Sequence, residues 1–152
     1  RISTACSRSI VRISRMRASG ISIGYHNHWW EFESSLDGVL AYDLFTGHLD
    51  PTVVLEIDTY WATVGGRDPA RVAAELGSRV QILHLKDGPA DGFKSPMTAV
   101  GDGVLDFPAI TASGASARWH VVELDACATD MFDAIEKSYR FLVGQGLSRG
   151  RI

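Results

Sequence analysis

The sequence predicts an α/β domain built around a parallel sheet. Two observations predict it: short apolar segments rich in β-branched residues alternate with helical patterns, and each of these segments ends in polar side chains. Alternating strands and helices favour parallel strands that are joined by right-handed crossovers. Because 152 residues suffice for one hydrophobic core, we expect residues 1–152 to form a single domain.

Composition excludes several functional classes. The chain is 45% hydrophobic and 22% charged, which is typical of a soluble globular protein, and its formal net charge is −3. This balance gives no attraction to nucleic acid or to anionic lipid, and no apolar run is long enough to span a membrane. Cys6 and Cys127 lie too far apart in sequence to suggest a zinc knuckle or a disulfide framework. We therefore expect a cytoplasmic protein.

The first twenty residues predict a helix that Gly20 ends. Apolar residues recur there at helical spacing, and arginines line the opposite side; the apolar set is Cys6, Ile10, Ile13 and Met16. The arginines indicate a solvated helix face rather than a nucleic-acid surface. The segment is also rich in serine and free of acids, as organellar transit peptides are, but it leads directly into a strand.

Four strand–helix pairs follow this segment. Strands are predicted within residues 21–28, 52–61, 80–87 and 118–125, and helices within 39–49, 67–78, 107–116 and 129–146. Asp68 is the expected N-cap of the second of these helices, and Pro69 its first residue. In the last helix the apolar residues that keep a helical period are Phe132, Ile135, Tyr139 and Leu142. No glycine fingerprint of a dinucleotide-binding or P-loop type follows the first strand.

Each predicted strand ends in a possible metal ligand. These residues are His26, Asp58, His84 and Glu123. In parallel α/β barrels the carboxyl ends of the strands build the active site. Imidazole and carboxylate ligands suit a divalent cation such as Mn²⁺, Zn²⁺, Co²⁺, Fe²⁺ or Mg²⁺ better than Ca²⁺. The pattern therefore predicts a metal site, although strand-end acids also serve as helix caps.

Side-chain alternation extends this cluster. His28 shares a face with His26 and is a candidate for proton transfer or substrate contact. Lys86 shares a face with His84, so it would either clamp a substrate oxygen or act as an acid, or else form an ion pair with Asp87 or Asp125 at the rim.

At these residues the chain resembles the sugar phosphate isomerase/epimerase family, the xylose isomerase-like TIM barrels. The segments that carry the resemblance are GISIGYHNHWWEFE, EIDTYW, ILHLKD, VGDGVLDF and VVELD. The resemblance implies that the four strands are the fifth to eighth of a barrel. A complete barrel takes about 250 residues, so this chain corresponds to the C-terminal half. We expect either a missing N-terminal half or a homodimer of halves.

The resemblance also implies a ligand set. Asp58, His84 and Glu123 fall on three of the family's metal positions. The fifth strand of the family usually supplies a glutamate, where this sequence has His26. The fourth ligand is therefore His26 or His28, or else Glu31 or Glu33 reaching in from the loop.

The implied activity is metal-dependent isomerisation or epimerisation of a sugar or sugar phosphate, with proton abstraction next to a metal-bound carbonyl. Glu123, His28 and Lys86 are the catalytic candidates. Tyr60 and Trp61 are candidate substrate contacts, as are Trp29 and Trp30, although aromatic residues also fill barrel mouths. Gly101 and Gly103 offer backbone N–H groups to an anion, but acids in the same loop oppose phosphate.

Three alternatives remain open. A metal-dependent lyase, such as a dehydratase of a keto-inositol, would use the same enolising chemistry. A DNA-repair endonuclease shares the barrel, but the acidic balance opposes it. A non-catalytic half barrel is the third alternative.

Overall fold

The computed structural model describes residues 15–150. Residues 15–18 are helical and lead into a turn at Gly20, whose φ is +75°. Most of the predicted first helix, with Cys6, Ile10 and Ile13, lies outside the described residues. Met16, which was expected on its apolar face, is 43% exposed. Within residues 15–150 no helix is long and apolar enough to cross a membrane.

The elements alternate along the chain as the sequence predicts. Their order is β1 (Gly24–His26), α1 (Trp30–Glu33), β2 (Ser35–Leu36), β3 (Val39–Leu40), α2 (Ala41–His48), β4 (Val54–Asp58), α3 (Thr59–Val64), α4 (Pro69–Leu76), a 3₁₀ turn (Gly77–Arg79), β5 (Val80–Leu85), α5 (Phe107–Ser113), β6 (Trp119–Val122) and α6 (Met131–Gly144).

The main sheet is parallel throughout and has the strand order β1-β4-β5-β6. One face of its central strands is apolar and fully buried beneath the helices, through Leu55, Ile57, Leu83 and Leu85. The opposite face carries the polar candidates. Among the described residues, β1 and β6 each pair on one side only, so the sheet is an open half of a barrel. The predicted fold class is confirmed.

One prediction about the segment after the first strand is wrong. Val39 and Leu40 were expected to begin a helix, but they pair antiparallel with Leu36 and Ser35. The reason lies in the turn between the two short strands, where Asp37 and Gly38 have φ of +51° and +80°. Two consecutive positive φ values reverse the chain tightly, so the helix begins only at Ala41.

The helix caps follow the sequence. The Asp68 carboxylate accepts the N–H groups of Ala70 and Arg71, as predicted for the start of α4. Asp130 accepts the N–H groups of Phe132 and Asp133 at the start of α6. These carboxylates satisfy helix-end donors that would otherwise lack a partner within the helix.

Helix α6 faces the sheet with a different side from the one its apolar period suggests. Leu142 is 3% exposed, but Phe132, Ile135 and Tyr139 are 83%, 41% and 48% exposed. The buried residues are small ones, Ala134 and Ser138, which let the helix lie close to its neighbours. The exposed apolar side borders a cleft of about 820 Å³ between α6 and β6.

Candidate metal and active site

Three neighbouring strands bring His26, Asp58 and His84 together. Asp58 lies directly opposite His84 in the β4–β5 register, and His26 lies opposite Glu56 in the β1–β4 register. One ligand atom of each of His26, Asp58 and His84 lies within 4.8 Å of the others. The three residues, here called the strand-end triad, therefore have the composition and spacing of a divalent-metal site.

The triad is arranged around one oxygen of Asp58. Asp58 Oδ2 lies 3.5 Å from His26 Nε2 and 3.6 Å from His84 Nδ1. The two histidines approach each other with 3.2 Å between their Nδ1 atoms. These separations are short enough for the three side chains to share one cation.

Neighbouring residues hold Asp58 in place through its Oδ1 atom and its backbone, which leaves Oδ2 free to face the two histidines. Asp58 Oδ1 accepts the N–H of Trp61 at 2.8 Å. The buried side chain of Asn27 donates to the Asp58 carbonyl at 3.1 Å and accepts the Asp58 N–H at 3.0 Å, so it links the end of β1 to the end of β4. Thr59 donates its hydroxyl to the carbonyl of His84 and links β4 to β5 in the same way. The strand ends are thus fixed by hydrogen bonds within the chain.

Buried polar atoms in the triad favour a cation. Asp58 Oδ2 and His84 Nε2 have no hydrogen-bond partner of acceptable geometry among the described residues. Both atoms instead lie next to charged side chains: Lys86 Nζ is 3.1 Å from Asp58 Oδ2, and Glu123 Oε2 is 3.0 Å from His84 Nε2. Buried polar atoms are normally satisfied, so the donor set fits a bound metal.

Burial changes the protonation of the triad. It raises the pKa of Asp58 to about 6, against the pull of the Lys86 ammonium and the Trp61 N–H. Burial, with Lys86 and His26 as further causes, lowers the pKa of His84 to about 4. At pH 7 His84 is therefore neutral and Asp58 is largely ionised, which are the forms that bind metal.

Lys86 is a buried cation within this cluster. It is 2% exposed, and its Nζ contacts Glu123 and Asp125 at 2.7 Å each, besides Asp58. Burial opposes its charged form, but these carboxylates outweigh that effect and raise its pKa. The ion pair with Asp125 is one of the two that the sequence suggested, and the pairs with Asp58 and Glu123 were not anticipated.

Glu123 lies beside the strand-end triad. Its carboxylate contacts His84 Nε2 and Lys86, and its side chain is half exposed. Its predicted roles as a metal ligand and as a base stay predictions. Glu56 is closer to the two histidines than the sequence suggested, with Oε1 at 3.3 Å from His26 Nδ1 and 3.4 Å from His84 Nδ1. Its position two residues before Asp58 is the signal that could have identified it.

The loop glutamates occupy other positions. The Glu31 carboxylate is buried and accepts the Tyr25 hydroxyl at 2.5 Å and the His28 N–H at 3.0 Å. These bonds hold the Glu31 carboxylate next to Tyr25 and the His28 backbone, so it does not reach the triad. Glu33 is exposed. Of the alternatives for a ligand from the first strand, the structure places His26 in the triad.

Aromatic side chains form a wall next to the triad. Trp29 stacks on Phe93 with 5.0 Å between ring centroids and a 4° interplanar angle, and it also contacts Trp61 at 4.9 Å. His28 stacks on Trp30 at 4.1 Å. We call these five residues the aromatic rim. The sequence indicated all of them except Phe93, which comes from the long loop after β5 and gives no local signal.

His28 connects the aromatic rim to the triad. Its ring lies edge-on to His26, with 5.1 Å between centroids. Burial lowers the pKa of His28, and the neighbouring His26 lowers it further. His28 is therefore neutral at pH 7 and can accept a proton.

Tyr60 occupies a packing position. It is fully buried, and its hydroxyl accepts the N–H of Ala90 at 3.2 Å. Trp61 is 5% exposed, and the Lys86 ammonium lies 5.5 Å from its ring centroid. Of these two predicted substrate contacts, Trp61 adjoins the cluster and Tyr60 lies beneath the loop.

Gly101 and Gly103 donate their N–H groups to Asp87. Both bonds end on Asp87 Oδ2, at 2.9 Å and 3.0 Å. The N–H groups of Gly88 and Leu105 reach Oδ1 at 2.9 Å and 3.3 Å. Asp87 itself is completely buried. The backbone donors that the sequence offered to an anion thus surround a carboxylate of the chain itself.

Together, the half barrel and the strand-end triad define an α/β scaffold with metal-type ligands at the carboxyl ends of its parallel strands. Solved structures that share this α/β fold include two proteins described as sugar phosphate isomerase/epimerases, both from Parabacteroides distasonis ATCC 8503. One is 28% identical with a TM-score of 0.78, and the other is 25% identical with a TM-score of 0.74. The resemblance predicted from the sequence is confirmed by these neighbours.

A third structure shares the fold at 13% identity with a TM-score of 0.66: the probable 3-DHS dehydratase AsbF from Bacillus anthracis, involved in petrobactin synthesis. The matches cover 90%, 90% and 91% of this chain but 50%, 51% and 55% of the three structures. The chain thus spans about half the length of these neighbours. No protein-family model and no curated protein matches the sequence.

Proposed function

We propose that this chain carries the metal-binding half of an isomerase or epimerase that acts on a sugar or sugar-like polyol. The observation that carries the proposal is the strand-end triad, in which His26, Asp58 and His84 converge on one point at the carboxyl ends of three parallel strands. The similarity to two proteins described as sugar phosphate isomerase/epimerases supports the reaction class.

The triad would hold a divalent cation such as Mn²⁺, Zn²⁺, Co²⁺, Fe²⁺ or Mg²⁺. A cation of this kind supplies Lewis-acid chemistry, which makes a proton on the carbon next to a carbonyl easier to remove. The neutral His84 and the ionised Asp58 are ready to bind without first losing protons at pH 7. Glu56 and Glu123 adjoin the triad and would complete its coordination or orient its histidines.

The proton-transfer groups would be Glu123 and His28. Glu123 is half exposed, and its Oε2 atom contacts both Lys86 Nζ and His84 Nε2. His28 has a lowered pKa, so it can accept a proton at neutral pH. Lys86 would remain charged and would position the carboxylates. Because the chain spans about half of its structural neighbours, turnover would also draw on residues outside it.

Metal binding to the purified chain tests the proposal directly. We expect one Mn²⁺ or Zn²⁺ per chain by calorimetry. Asp58→Asn and His84→Gln should each weaken binding by at least roughly 100-fold, because each removes one ligand of three. His120→Gln is the matched control, since this partly buried histidine bonds to Ser148 away from the triad. Unchanged affinity in both triad variants, with the fold retained by circular dichroism, would refute the metal site.

A second measurement separates the isomerase from the lyase. A ketose panel in D₂O, with the product analysed by NMR, should give an isomer that carries deuterium at the carbon next to the carbonyl. Loss of water from the substrate would identify the lyase instead. A chain that binds the metal but exchanges no hydrogen with any ketose, even when supplied with the missing half of the barrel, would be a non-catalytic half barrel.

A further inference from the structure

We propose that this site takes an unphosphorylated polyhydroxy ketone or aldehyde, and that Asp87 closes the adjoining loop to phosphate. The inference rests on the proposed function, since it names the substrate class of the same site. Three features of the described residues carry it: the occupied amides of the loop after β5, the charge around the triad, and the apolar surface of the aromatic rim.

The loop after β5 is the place where a phosphate would be expected. By the resemblance β5 is the seventh barrel strand, and barrels commonly bind phosphate with the loops after strands seven and eight. Such sites present several backbone N–H groups to the anion. Here four N–H groups, from Gly88, Gly101, Gly103 and Leu105, converge on one point as in such a site.

Asp87 already occupies that point. Its carboxylate accepts all four N–H groups, and it is fully buried. The packing leaves no room for a second anion, since a Cβ added at Gly103 would overlap Asp87 Oδ1 and the Gly88 nitrogen. At Gly101, where φ is +96°, a Cβ would come within 2.5 Å of the Phe141 ring. The loop is thus closed around a carboxylate that the chain itself supplies.

The charge around the triad also opposes a phosphate. One carboxylate, that of Asp58, belongs to the triad, and three more lie next to it, those of Glu56, Glu123 and Asp125. Within residues 15–150, Lys86 is the one lysine or arginine that contacts them, and three of them engage its ammonium. A divalent cation in the triad would offset part of this negative charge, but the added dianion would restore it.

The aromatic rim suits the carbon side of a polyol. Trp29, Trp30 and Phe93 present ring faces or edges, and Trp30 and Phe93 are 46% and 52% exposed. Such faces bind C–H groups and exclude anions, because the face of a ring carries negative potential. Lys94, whose Nζ lies 5.5 Å from the Phe93 centroid, is the rim cation that could still attract a phosphate, so the test includes it.

Inorganic phosphate is the probe that tests the role of Asp87. We expect no shift of the Gly101 and Gly103 amide signals when phosphate is added to the wild-type chain in ¹⁵N NMR. The Asp87→Gly substitution removes the carboxylate and frees the four N–H groups, so this variant should bind phosphate with a Kd of about 1 mM. The control is Asp102→Asn, which removes the same charge from the same loop but frees no amide, because the Asp102 carboxylate pairs with Lys137.

The outcomes decide the role of Asp87 whether or not a sugar binds. Phosphate-dependent shifts of the Gly101 and Gly103 amides in the wild-type chain would overturn it. A folded Asp87→Gly variant that does not bind phosphate would also overturn the role of Asp87. If Asp87→Gly does not fold, the wild-type amide shifts still give the answer. Phosphate binding that Lys94→Ala abolishes would place an anion at the rim and would also contradict the proposal.

A matched pair of ligands tests the substrate class. With Mn²⁺ bound, a ketohexose should quench tryptophan fluorescence at a concentration at least roughly tenfold lower than its 1-phosphate does. Equal or tighter binding of the phosphate would overturn the inference and leave the proposed function intact. Absence of Mn²⁺ binding would instead remove the proposed function, and the phosphate measurements would still decide the role of Asp87.

Discussion

At the scale of single residues, the titrations of Asp58 and His84 oppose each other. The folded chain raises the pKa of Asp58 from 3.8 to about 6, so acidification through this range favours the folded state. It lowers the pKa of His84 from 6.5 to about 4, so acidification through that range favours the unfolded state. The two effects cancel in large part between pH 6 and pH 4.

A variant can separate these two effects. In the metal-free chain, Asp58→Asn removes the cost of burying a carboxylate, so it should raise the free energy of unfolding by about 3 kcal/mol at pH 7 and change it little near pH 4. Urea unfolding at a series of pH values, with chelator present, measures the difference. Asp68→Asn is the control, because this carboxylate caps a helix at the surface. A pH-independent difference would contradict the pKa shift of Asp58.

The hydrogen bonds of Asn27 lead to a second prediction at the scale of single residues. Asn27→Ala leaves the buried N–H and carbonyl of Asp58 without their partners, so it should lower the free energy of unfolding by about 2–4 kcal/mol. It should also weaken metal binding, because Asp58 loses its support. Gln81→Ala, which removes an exposed amide bonded to the Ser78 carbonyl, should cost less than about 1 kcal/mol. An equal cost for the two variants would argue against the role of Asn27.

At the scale of elements, α6 is fastened to the loop after β5 by one buried hydroxyl. Ser138 donates to the Ala134 carbonyl at 2.7 Å and accepts the Val100 N–H at 2.9 Å. Ser138→Ala leaves the Val100 N–H buried and unpaired, so we expect a loss of about 1–3 kcal/mol in chemical unfolding. Ser78→Ala, at an exposed position, should be neutral. A neutral Ser138→Ala would mean that water replaces the hydroxyl.

The sequence predicts the elements well where the pattern is local. The four parallel strands and the Asp68 cap follow from β-branched runs and from capping chemistry, and all are present. The β2–β3 hairpin was missed because the turn at Asp37 and Gly38 overrides the helical pattern beyond it. The buried side of α6 was not predictable either, because small residues decide which side packs and the apolar period does not.

The residues of the candidate site also fall into those that the sequence could predict and those that it could not. His26, Asp58 and His84 were predictable because strand ends converge in a parallel sheet whatever the details of the fold. Glu56 could also have been identified, because it lies two residues before Asp58 and therefore on the same face of the strand. Phe93 could not, because its proximity to the triad depends on the course of a long loop. The engagement of Asp87 by four amides depends on contacts up to eighteen residues apart in sequence, which no local pattern reports.

At the scale of the whole molecule, the open edge at β6 and α6 carries exposed apolar side chains. Trp119, Phe132 and Ile135 are 62%, 83% and 41% exposed there. Surfaces of this kind and unpaired strand edges promote association. The described half barrel therefore has an edge of the kind at which proteins associate.

This surface leads to a prediction about the isolated chain. The chain should self-associate at micromolar concentration, and Phe132→Glu combined with Ile135→Lys should shift it towards the monomer in light scattering. Val104→Glu is the control, because Val104 is 65% exposed in a loop. If the double variant associates as strongly as the wild type, the α6 and β6 edge is not the surface through which it associates.

The buried ammonium of Lys86 has a consequence for the order of assembly. Clustered carboxylates with no counter-ion repel one another and keep many metal sites unfolded until the ion arrives. Here the Lys86 ammonium supplies a positive charge from the polypeptide itself, and hydrogen bonds from Asn27 and Thr59 connect the strand ends. We therefore expect the chain to fold without a cation, so that a chelator would leave the scaffold intact.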